Sequence, residues 1–313
     1  MKRFLVFLIV LMLAFFGCKD NSKKSDGQTV KSHVFGFTAA DQTNPFFVVL
    51  RDRVKQAVEA KGDRLIDIDG KMDQIVQNNA IEDMITQGIE VLMIQPRDSQ
   101  GIQPALEACR AAGIKVVVID TGVDRMDLID AFVASDNYQA GELAGKEVLR
   151  LFPDGAQIGL FEAPLLESIR QRVAGFEDVL AGSGCKVVDR KALQTMDQVM
   201  SATEDMIQAH PEMNVFFALN DPVAMIALGV FESAGIADKI KIFSVDGSPT
   251  TKKSISEGGV YSTSAQSPLG IADGVVDVTY KIINGEPFDA VVPIETYIVN
   301  QDNIAAYSAD QWQ

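Results

Sequence analysis

Two stretches of the sequence decide the fold: AGIKVVVID at residues 112–120 and IKIFSVD at residues 240–246. In each, an Ile-Lys pair opens a nearly continuous apolar run that ends, six positions after the isoleucine, at an aspartate. A strand that is apolar at almost every position is buried on both faces, which is typical of a parallel sheet covered by helices. Asp120 and Asp246 lie 126 positions apart, too far for a solenoid repeat, so the two stretches predict two similar lobes.

Strand and helix patterns alternate on both sides of these stretches. The predicted strands are 34–37, 65–69, 91–94 and 116–119 in the first half, and 158–161, 186–188, 215–219 and 242–245 in the second. The predicted helices include one that begins at Pro45 and others at 73–87, 99–112, 167–181 and 197–209. This order predicts an α/β fold made of two Rossmann-like lobes with parallel sheets.

The charge balance excludes several classes of function. The 313 residues include 43 Asp and Glu against 28 Lys and Arg, a formal net charge of −15. A nucleic-acid surface needs a basic face, which this balance argues against. Two histidines and three cysteines are too few for most zinc sites, and no strand end carries a Gly-rich phosphate turn. We therefore predict no metal, no cofactor and no nucleic-acid partner.

The first residues form a targeting segment. Two basic residues precede an apolar run over 4–16 that is too short to span a membrane comfortably, and Gly17-Cys18 follow at once. The pattern resembles a bacterial lipoprotein signal, with 1–17 as signal peptide, Cys18 as the lipid attachment site and 18–32 as a tether. An uncleaved membrane anchor is the alternative. Both interpretations place the remainder outside the cytoplasmic membrane, in the periplasm or cell envelope.

Polar residues directly after apolar strands are the candidate binding residues, because ligands of open parallel sheets bind outside the carboxyl ends of the strands. Five residues meet this description: Gln95, Asp120, Asn220, Asp246 and Gln266. Each has a structural alternative, since Asp or Asn after a strand commonly caps the next helix or forms a turn. Asp221, immediately before Pro222, is expected to be such a cap. Because these five residues stand at equivalent strand ends of the two halves, they favour a cleft that both halves line.

Arg170 and the pair Phe46-Phe47 are further candidates. Arg170 lies in the first turn of the predicted helix 167–181, where the helix dipole disfavours a cation. It is therefore either placed there for a bidentate contact or a plain surface arginine. Of the two phenylalanines at the start of the first helix, either one faces the cleft or both lie in the core. Side chains that donate and accept hydrogen bonds, together with aromatic faces, suit a polyhydroxylated ligand.

Eight short motifs carry a resemblance to a known family. They are Thr43–Phe47, Gln95–Ser99, Val118–Asp120, Ala134–Asn137, Arg170–Arg172, Asn220-Asp221, Val245–Gly247 and Ala265-Gln266. In this order and spacing they resemble the type I periplasmic sugar-binding proteins, particularly the ribose-type branch, from about Val34 to the C-terminus.

The resemblance implies two lobes, joined by a three-strand hinge, that close over a sugar. The implied crossovers lie near Ser135-Asp136, Gln266-Ser267 and Glu295-Thr296. By position, residues 34–135 with 267–295 would form the N-terminal lobe, and residues 136–266 with 296–313 the C-terminal lobe.

The resemblance also implies roles for individual residues. Hydrogen bonds to sugar hydroxyls are expected from Asn44, Asp120, Arg170, Asn220, Asp246 and Gln266. Phe46 and Phe47 are expected to pack on the sugar. Arg172 stands two positions after Arg170 on the same helix, and this spacing predicts that it points elsewhere. Five wall positions depart from the ribose-type pattern: Ala40 replaces Ser, Gln95 replaces Asn, Thr121 replaces Arg, Met196 replaces Phe, and Val245 replaces an aromatic residue. These departures predict a neutral ligand other than ribose.

The implied function is the capture of a sugar or polyol and its delivery to an ABC permease in the membrane, with no catalytic residue. One alternative is a receptor that presents a sugar-like signal to a membrane sensor. Another is an exported hydrolase that uses Asp120 and Asp246. The hydrolase is disfavoured because a glycosidase needs two carboxylates flanking one bond at a set separation, whereas these two belong to opposite lobes.

Overall fold

The computed structural model describes residues 32–312, so the predicted signal peptide, the predicted lipid attachment site Cys18 and nearly all of the predicted tether lie outside the described residues. The strands are β1 (Val34–Ala39), β2 (Arg64–Asp67), β3 (Val91–Gln95), β4 (Lys115–Ile119), β5 (Ala131–Ser135), β6 (Gln157–Glu162), β7 (Lys186–Ala192), β8 (Val215–Phe217), β9 (Lys241–Asp246), β10 (Ser262–Ala265), β11 (Val291–Ile294) and β12 (Tyr297–Asn300). The helices are α1 (Pro45–Glu59), α2 (Gln74–Thr86), α3 (Gln103–Ala111), α4 (Asn137–Leu151), α5 (Glu167–Leu180), α6 (Gln198–Ala209), α7 (Asp221–Ser233), α8 (Pro249–Glu257) and α9 (Pro268–Asn284).

The strands form two six-stranded sheets, in the orders β2-β1-β3-β4-β5-β11 and β7-β6-β8-β9-β10-β12. Neighbouring strands are parallel throughout the first sheet. In the second sheet they are also parallel, except that β12 runs antiparallel to β10. The predicted α/β fold with two Rossmann-like lobes is thereby confirmed. The strands β4 and β9, which carry the two deciding stretches, lie at equivalent places in their sheets.

The chain passes between the sheets at three places within the described residues. It leaves β5 of the first sheet and enters α4, which packs on α5 and on strands of the second sheet. It returns after β10 through α9, which packs on α1, β4 and β5. The third passage is the short step from β11 to β12. These three connections join the first lobe, built on the first sheet, to the second lobe, built on the second sheet.

The end of the chain contacts both lobes. The carbonyl oxygen of Gln311 accepts a hydrogen bond from Lys252 of α8, in the second lobe. The next residue, Trp312, packs edge-on against Phe46 of α1 in the first lobe, with ring centroids 5.7 Å apart. Trp312, in the 296–313 segment that the resemblance assigned to the C-terminal lobe, therefore packs on the N-terminal one. Of the helices within residues 32–312, none combines the length and the hydropathy that crossing a membrane requires.

Helices α4 and α5 approach each other closely at two glycines. A Cβ atom added to Gly141 of α4 would lie 1.9 Å from the carbonyl oxygen of Arg172 in α5. A Cβ added to Gly175 of α5 would lie 2.1 Å from the carbonyl oxygen of Tyr138 in α4. Because backbone atoms cannot move aside as a flexible side chain does, any side chain at either position forces the helices apart.

We expect Gly141→Ala to lower the free energy of unfolding by about 1–3 kcal/mol, because the added methyl group overpacks this helix contact. Gly229→Ala in α7 is the matched control. Its Cβ would meet nothing within 4 Å, so the higher helix propensity of alanine should raise stability by about 0.5–1 kcal/mol. Urea unfolding followed by circular dichroism measures both variants. Equal effects of the two substitutions would contradict the close approach of α4 and α5.

Candidate functional site

The cleft between the two lobes lies at the carboxyl ends of the strands. Of the ten predicted binding residues, nine line it: Asn44, Phe46, Phe47, Gln95, Asp120, Met196, Asn220, Asp246 and Gln266. They come from both sheets, as expected where the polar residues that follow parallel strands meet at one edge.

Asp120 and Asp246 occupy corresponding places in the two lobes. Asp120 directly follows β4, Asp246 is the last residue of β9, and each is 4% exposed. Both adopt a positive φ, 63° for Asp120 and 135° for Asp246. That conformation costs a non-glycine residue of order 1–3 kcal/mol and persists only where the surroundings enforce it. For Asp120, its N–H donates to the Val133 carbonyl at 3.0 Å and its carbonyl accepts from Asn137 Nδ2 at 3.2 Å.

Arg170 is the predicted residue that does not line the cleft. It is exposed at the cleft mouth, where Nη1 donates to the Pro164 carbonyl at 2.7 Å and Nη2 to Ser99 Oγ at 3.1 Å. The physical reason is the phase of α5, whose buried face carries Ile169, Val173 and Phe176. Position 170 lies about 100° from position 169 at 3.6 residues per turn, which turns its side chain away from that face.

Arg172 takes the place in the cleft that was predicted for Arg170, and the expectation that Arg172 points elsewhere is wrong. It is 3% exposed and lines the cleft. Its Nε donates to Asn137 Oδ1 at 2.8 Å, and its Nη1 donates to the Leu219 carbonyl at 2.9 Å and lies 3.9 Å from Asp246 Oδ1. The spacing of Arg172 from Ile169 and Phe176 is the signal in the sequence that identifies it as inward-facing.

Asp221 is not the helix cap that its position before Pro222 suggested. The cap of α7 is Asn220, whose side-chain oxygen accepts from the Val223 N–H at 3.1 Å. Asp221 is 1% exposed and accepts hydrogen bonds from Ser244 Oγ, Thr263 Oγ1 and the Ser248 N–H at 2.5, 2.8 and 2.7 Å. It therefore ties β9, β10 and the start of α8 together beneath the cleft.

Several predicted residues have structural hydrogen bonds within their own lobe. Asn44 caps α1 by accepting from the Phe46 N–H at 3.0 Å. Gln95 accepts from the Ala40 N–H at 2.8 Å and donates to the Pro96 carbonyl at 3.1 Å. Gln266 donates to Asp246 Oδ1 at 2.9 Å. The structural alternative thus holds for the side-chain oxygens of Asn44 and Asn220, although both residues also line the cleft.

The two phenylalanines of α1 divide between the core and the cleft wall. Phe46 is 2% exposed and belongs to the core of the first lobe, whereas Phe47 is only partly buried. Their rings pack edge to face at a centroid distance of 5.3 Å, and both contribute to the cleft lining. Met196, whose side chain is exposed, lines the cleft from the second lobe. The wall therefore combines an aromatic side with a flexible thioether side.

The cleft is rich in acceptors and acidic. Among the described residues that line it, the charged side chains are the carboxylates Asp41, Asp120 and Asp246 and the guanidinium of Arg172. Asp120 Oδ1 and Gln266 Oε1 are buried and have no hydrogen-bond partner within residues 32–312. A buried acceptor without a partner is costly, so these two atoms are the groups that a bound ligand with hydroxyl donors would satisfy.

Burial and like charges raise the pKa of both cleft aspartates. Desolvation is the main cause for Asp120, opposed by the charge of Arg172 and reinforced by Glu167. For Asp246 the pKa is raised well above its ordinary value, first by burial and then by the neighbouring Asp221, again opposed by Arg172. Ionised carboxylates in this cleft are thus destabilised until further hydrogen-bond donors reach them.

The lobes contact each other across the mouth of the cleft. The Ser99 N–H donates to the Leu165 carbonyl at 3.1 Å, and Arg97 Nη2 donates to the Gln194 carbonyl at 3.2 Å. The Ser168 N–H donates to Thr121 Oγ1 at 2.9 Å. Because each pair joins one lobe to the other, the structure represents a closed arrangement of the cleft.

A family model and curated relatives match most of the chain. A family model described as the periplasmic binding protein domain matches residues 35–287. The ribose import binding protein of Bacillus subtilis (strain 168) is 30% identical over 268 residues, which are 85% of this chain and 86% of that protein. The ribose import binding protein of Escherichia coli (strain K12) is 27% identical over 259 residues, 82% of this chain and 86% of that protein.

Solved structures agree with these matches. An ABC transporter solute-binding protein from Mycobacterium smegmatis with bound glycerol is 32% identical, with a TM-score of 0.83 over 88% of this chain and 97% of that one. The Caulobacter myo-inositol binding protein, bound to myo-inositol, has the same fold at 24% identity, with a TM-score of 0.82 over 88% and 95% of the two chains. The chain therefore belongs to the type I periplasmic sugar-binding protein family.

Proposed function

We propose that this protein captures a monosaccharide or polyol between its two lobes and delivers it to an ABC importer. The observation that carries the proposal is the closed cleft in which Asp120, Arg172, Asp246 and Gln266 converge beside the Phe47 ring. The names of two relatives that are at least 30% identical to this chain over the aligned residues point the same way, one a ribose import protein and the other a solute-binding protein with bound glycerol.

The chemistry of the cleft favours a ligand that carries several hydroxyl groups. A hydroxyl donates one hydrogen bond and accepts others, so it matches both the carboxylates and the Arg172 guanidinium. Hydrogen bonds that involve a charged group contribute about 1.5–3 kcal/mol each. Several such bonds, offset by the costs of ordering and desolvation, are compatible with a dissociation constant in the micromolar range, about −8 kcal/mol.

The targeting segment completes the proposal. With Cys18 lipidated, residues 18–32 would tether the two lobes to a membrane of the cell envelope, within reach of the permease. Radiolabelled palmitate incorporation into the wild-type chain, lost in Cys18→Ser, is the observation that this part of the proposal requires.

The test of the function is calorimetric titration of the protein with a panel of pentoses, hexoses, cyclitols and linear polyols. We expect one neutral compound to bind with a micromolar-range constant, and D-ribose to bind more weakly than it. The reason is the altered wall, in which Met196 stands where ribose-type binders carry a phenylalanine and Gln95 where they carry an asparagine. Thr121 and Val245, which were also expected at the wall, are buried outside the cleft lining. Absence of any binding in the panel would contradict the function, and ribose as the tightest ligand would contradict its specificity.

Asp120→Asn should weaken binding of the panel's tightest ligand at least about tenfold, because it removes a charge-assisted acceptor from a buried site. Arg170→Gln is the control on an exposed side chain. Arg170 bonds to the Pro164 carbonyl, Ser99 Oγ and Asp124 at the mouth of the cleft and not to the cleft lining. Contacts of so exposed a side chain contribute about 0–1 kcal/mol, so a change of at most about fivefold is expected. Similar losses in the two variants would show that the cleft has been assigned to the wrong residues.

Asp246→Asn should stabilise the ligand-free protein at pH 7.5 while weakening ligand binding. Folding raises the pKa of Asp246, so the unfolded chain releases this proton more readily and stability falls as the pH rises above the ordinary carboxyl value. The amide removes this cost, while Arg172 keeps its hydrogen bonds to Asn137 Oδ1 and the Leu219 carbonyl and the opposite charge of Asp120. We therefore expect Tm to rise at pH 7.5 and the gain to shrink near pH 4.5.

Differential scanning calorimetry at the two pH values measures this effect, with the exposed Asp238→Asn as control. The control should change Tm little at either pH. A lower Tm for Asp246→Asn at pH 7.5 would mean that ionised Asp246 is stabilised in the fold rather than strained.

A further inference from the structure

Helix α5 begins at the mouth of the cleft without a capping side chain of its own. Its N-cap residue is Leu166, which makes no side-chain hydrogen bond to the helix. The first N–H groups of a helix have no partner within the helix and need one from elsewhere. The Ser168 N–H finds its partner in the other lobe, because it donates to Thr121 Oγ1.

A second hydrogen bond runs in the opposite direction between the same two segments. The Gly122 N–H, next to Thr121, donates to the carboxylate of Glu167, next to Ser168, at 3.3 Å. In a capping box, a hydroxyl accepts from the start of the helix, and a glutamate of the first turn accepts from the capping segment. These two bonds have that reciprocal form, but the hydroxyl and the glutamate belong to different lobes.

The hydrogen bond between the Ser168 N–H and Thr121 Oγ1 is important because both groups are buried when the cleft is closed. Thr121 is 1% and Ser168 is 3% exposed in the closed arrangement, where a backbone N–H without a partner is strongly unfavourable. With the lobes apart, water would satisfy both groups. The contact therefore stabilises the closed arrangement specifically. Neither Thr121 nor Glu167 lines the cleft.

We propose that Thr121 and Glu167 are positioning residues that cap α5 from across the cleft and thereby hold the two lobes closed. Thr121, which stands where ribose-type binders carry an arginine, then acts on closure rather than on the sugar. Its influence on how tightly a sugar is held rests on the proposed function; its influence on closure does not.

The test traps the closed arrangement in the absence of any sugar. Cysteines replace Asp124 and Arg170, whose side chains approach to 3.6 Å from opposite lobes, in a background that carries Cys18→Ser and Cys185→Ser. A short bifunctional thiol reagent joins the two cysteines only when the lobes are close. The rate of joining therefore reports the closed population, even where that population is small.

Adding Thr121→Val to this background should slow the joining about tenfold, because the closed arrangement then buries the Ser168 N–H without an acceptor. Thr121→Ser keeps the hydroxyl and should retain the original rate. Thr203→Val is the matched control. It removes a buried hydroxyl that bonds to the Val199 carbonyl inside α6, away from the cleft mouth, and should leave the rate unchanged.

Equal rates with and without Thr121→Val would overturn the proposal, as would a Thr121→Ser rate as slow as that of Thr121→Val. Slowing by Thr203→Val to the same extent would also overturn it, because the effect would then be a general loss of stability. Since no sugar enters this experiment, its result is independent of the panel titration. If Thr121→Val slows the joining but no panel compound binds, the proposed function is rejected and the capping role of Thr121 stands.

Discussion

The guanidinium of Arg172 is the contact on which the arrangement of the cleft depends. It joins α5 to the first turn of α4 through Asn137, reaches the Leu219 carbonyl after β8, and lies 3.9 Å from the Asp246 carboxylate. A cation so deeply buried is tolerated only where it is paired and hydrogen-bonded. These partners begin, end or follow elements of the second lobe, and together they fix the side chain in one orientation.

The approach of α4 to α5 is what brings Arg172 to Asn137. Gly141 lies one turn along α4 from Asn137, and a Cβ there would overlap the carbonyl oxygen of Arg172 itself. The absence of a side chain at Gly141 thus sets the distance between the helices, and that distance sets the reach of the guanidinium. The close packing of α4 on α5 therefore determines where the positive charge of Arg172 lies in the cleft.

The alternation of strands and helices, the equivalence of β4 and β9, and the polar residues after the strands could be predicted from the sequence, because each depends on local pattern. Arg172 could be identified only from its spacing to the buried residues of α5. The helix dipole, which singled out Arg170, does not indicate which side of the helix faces the cleft. Asp221 was missed because its partners come from β9, β10 and α8, which no local pattern brings together. The contact between Thr121 and Ser168 depends on closure of two lobes and is equally invisible to local reasoning.

Asp120 and Asp246 are held in a conformation and an environment that are unfavourable for an ionised aspartate. Each aspartate combines a positive φ, burial and a raised pKa at the edge of a sheet. Such unfavourable features persist only where the surrounding structure enforces them. For Asp246 the second lobe supplies that enforcement from its own sheet and core, a continuous cluster around Phe176 and Phe217. Asp246 is held by Gln266 and the Asp221 N–H of its own lobe, whereas the carbonyl of Asp120 also accepts from Asn137 at the start of α4. Separation of the lobes therefore leaves the hydrogen bonds of Asp246 intact and removes one from Asp120.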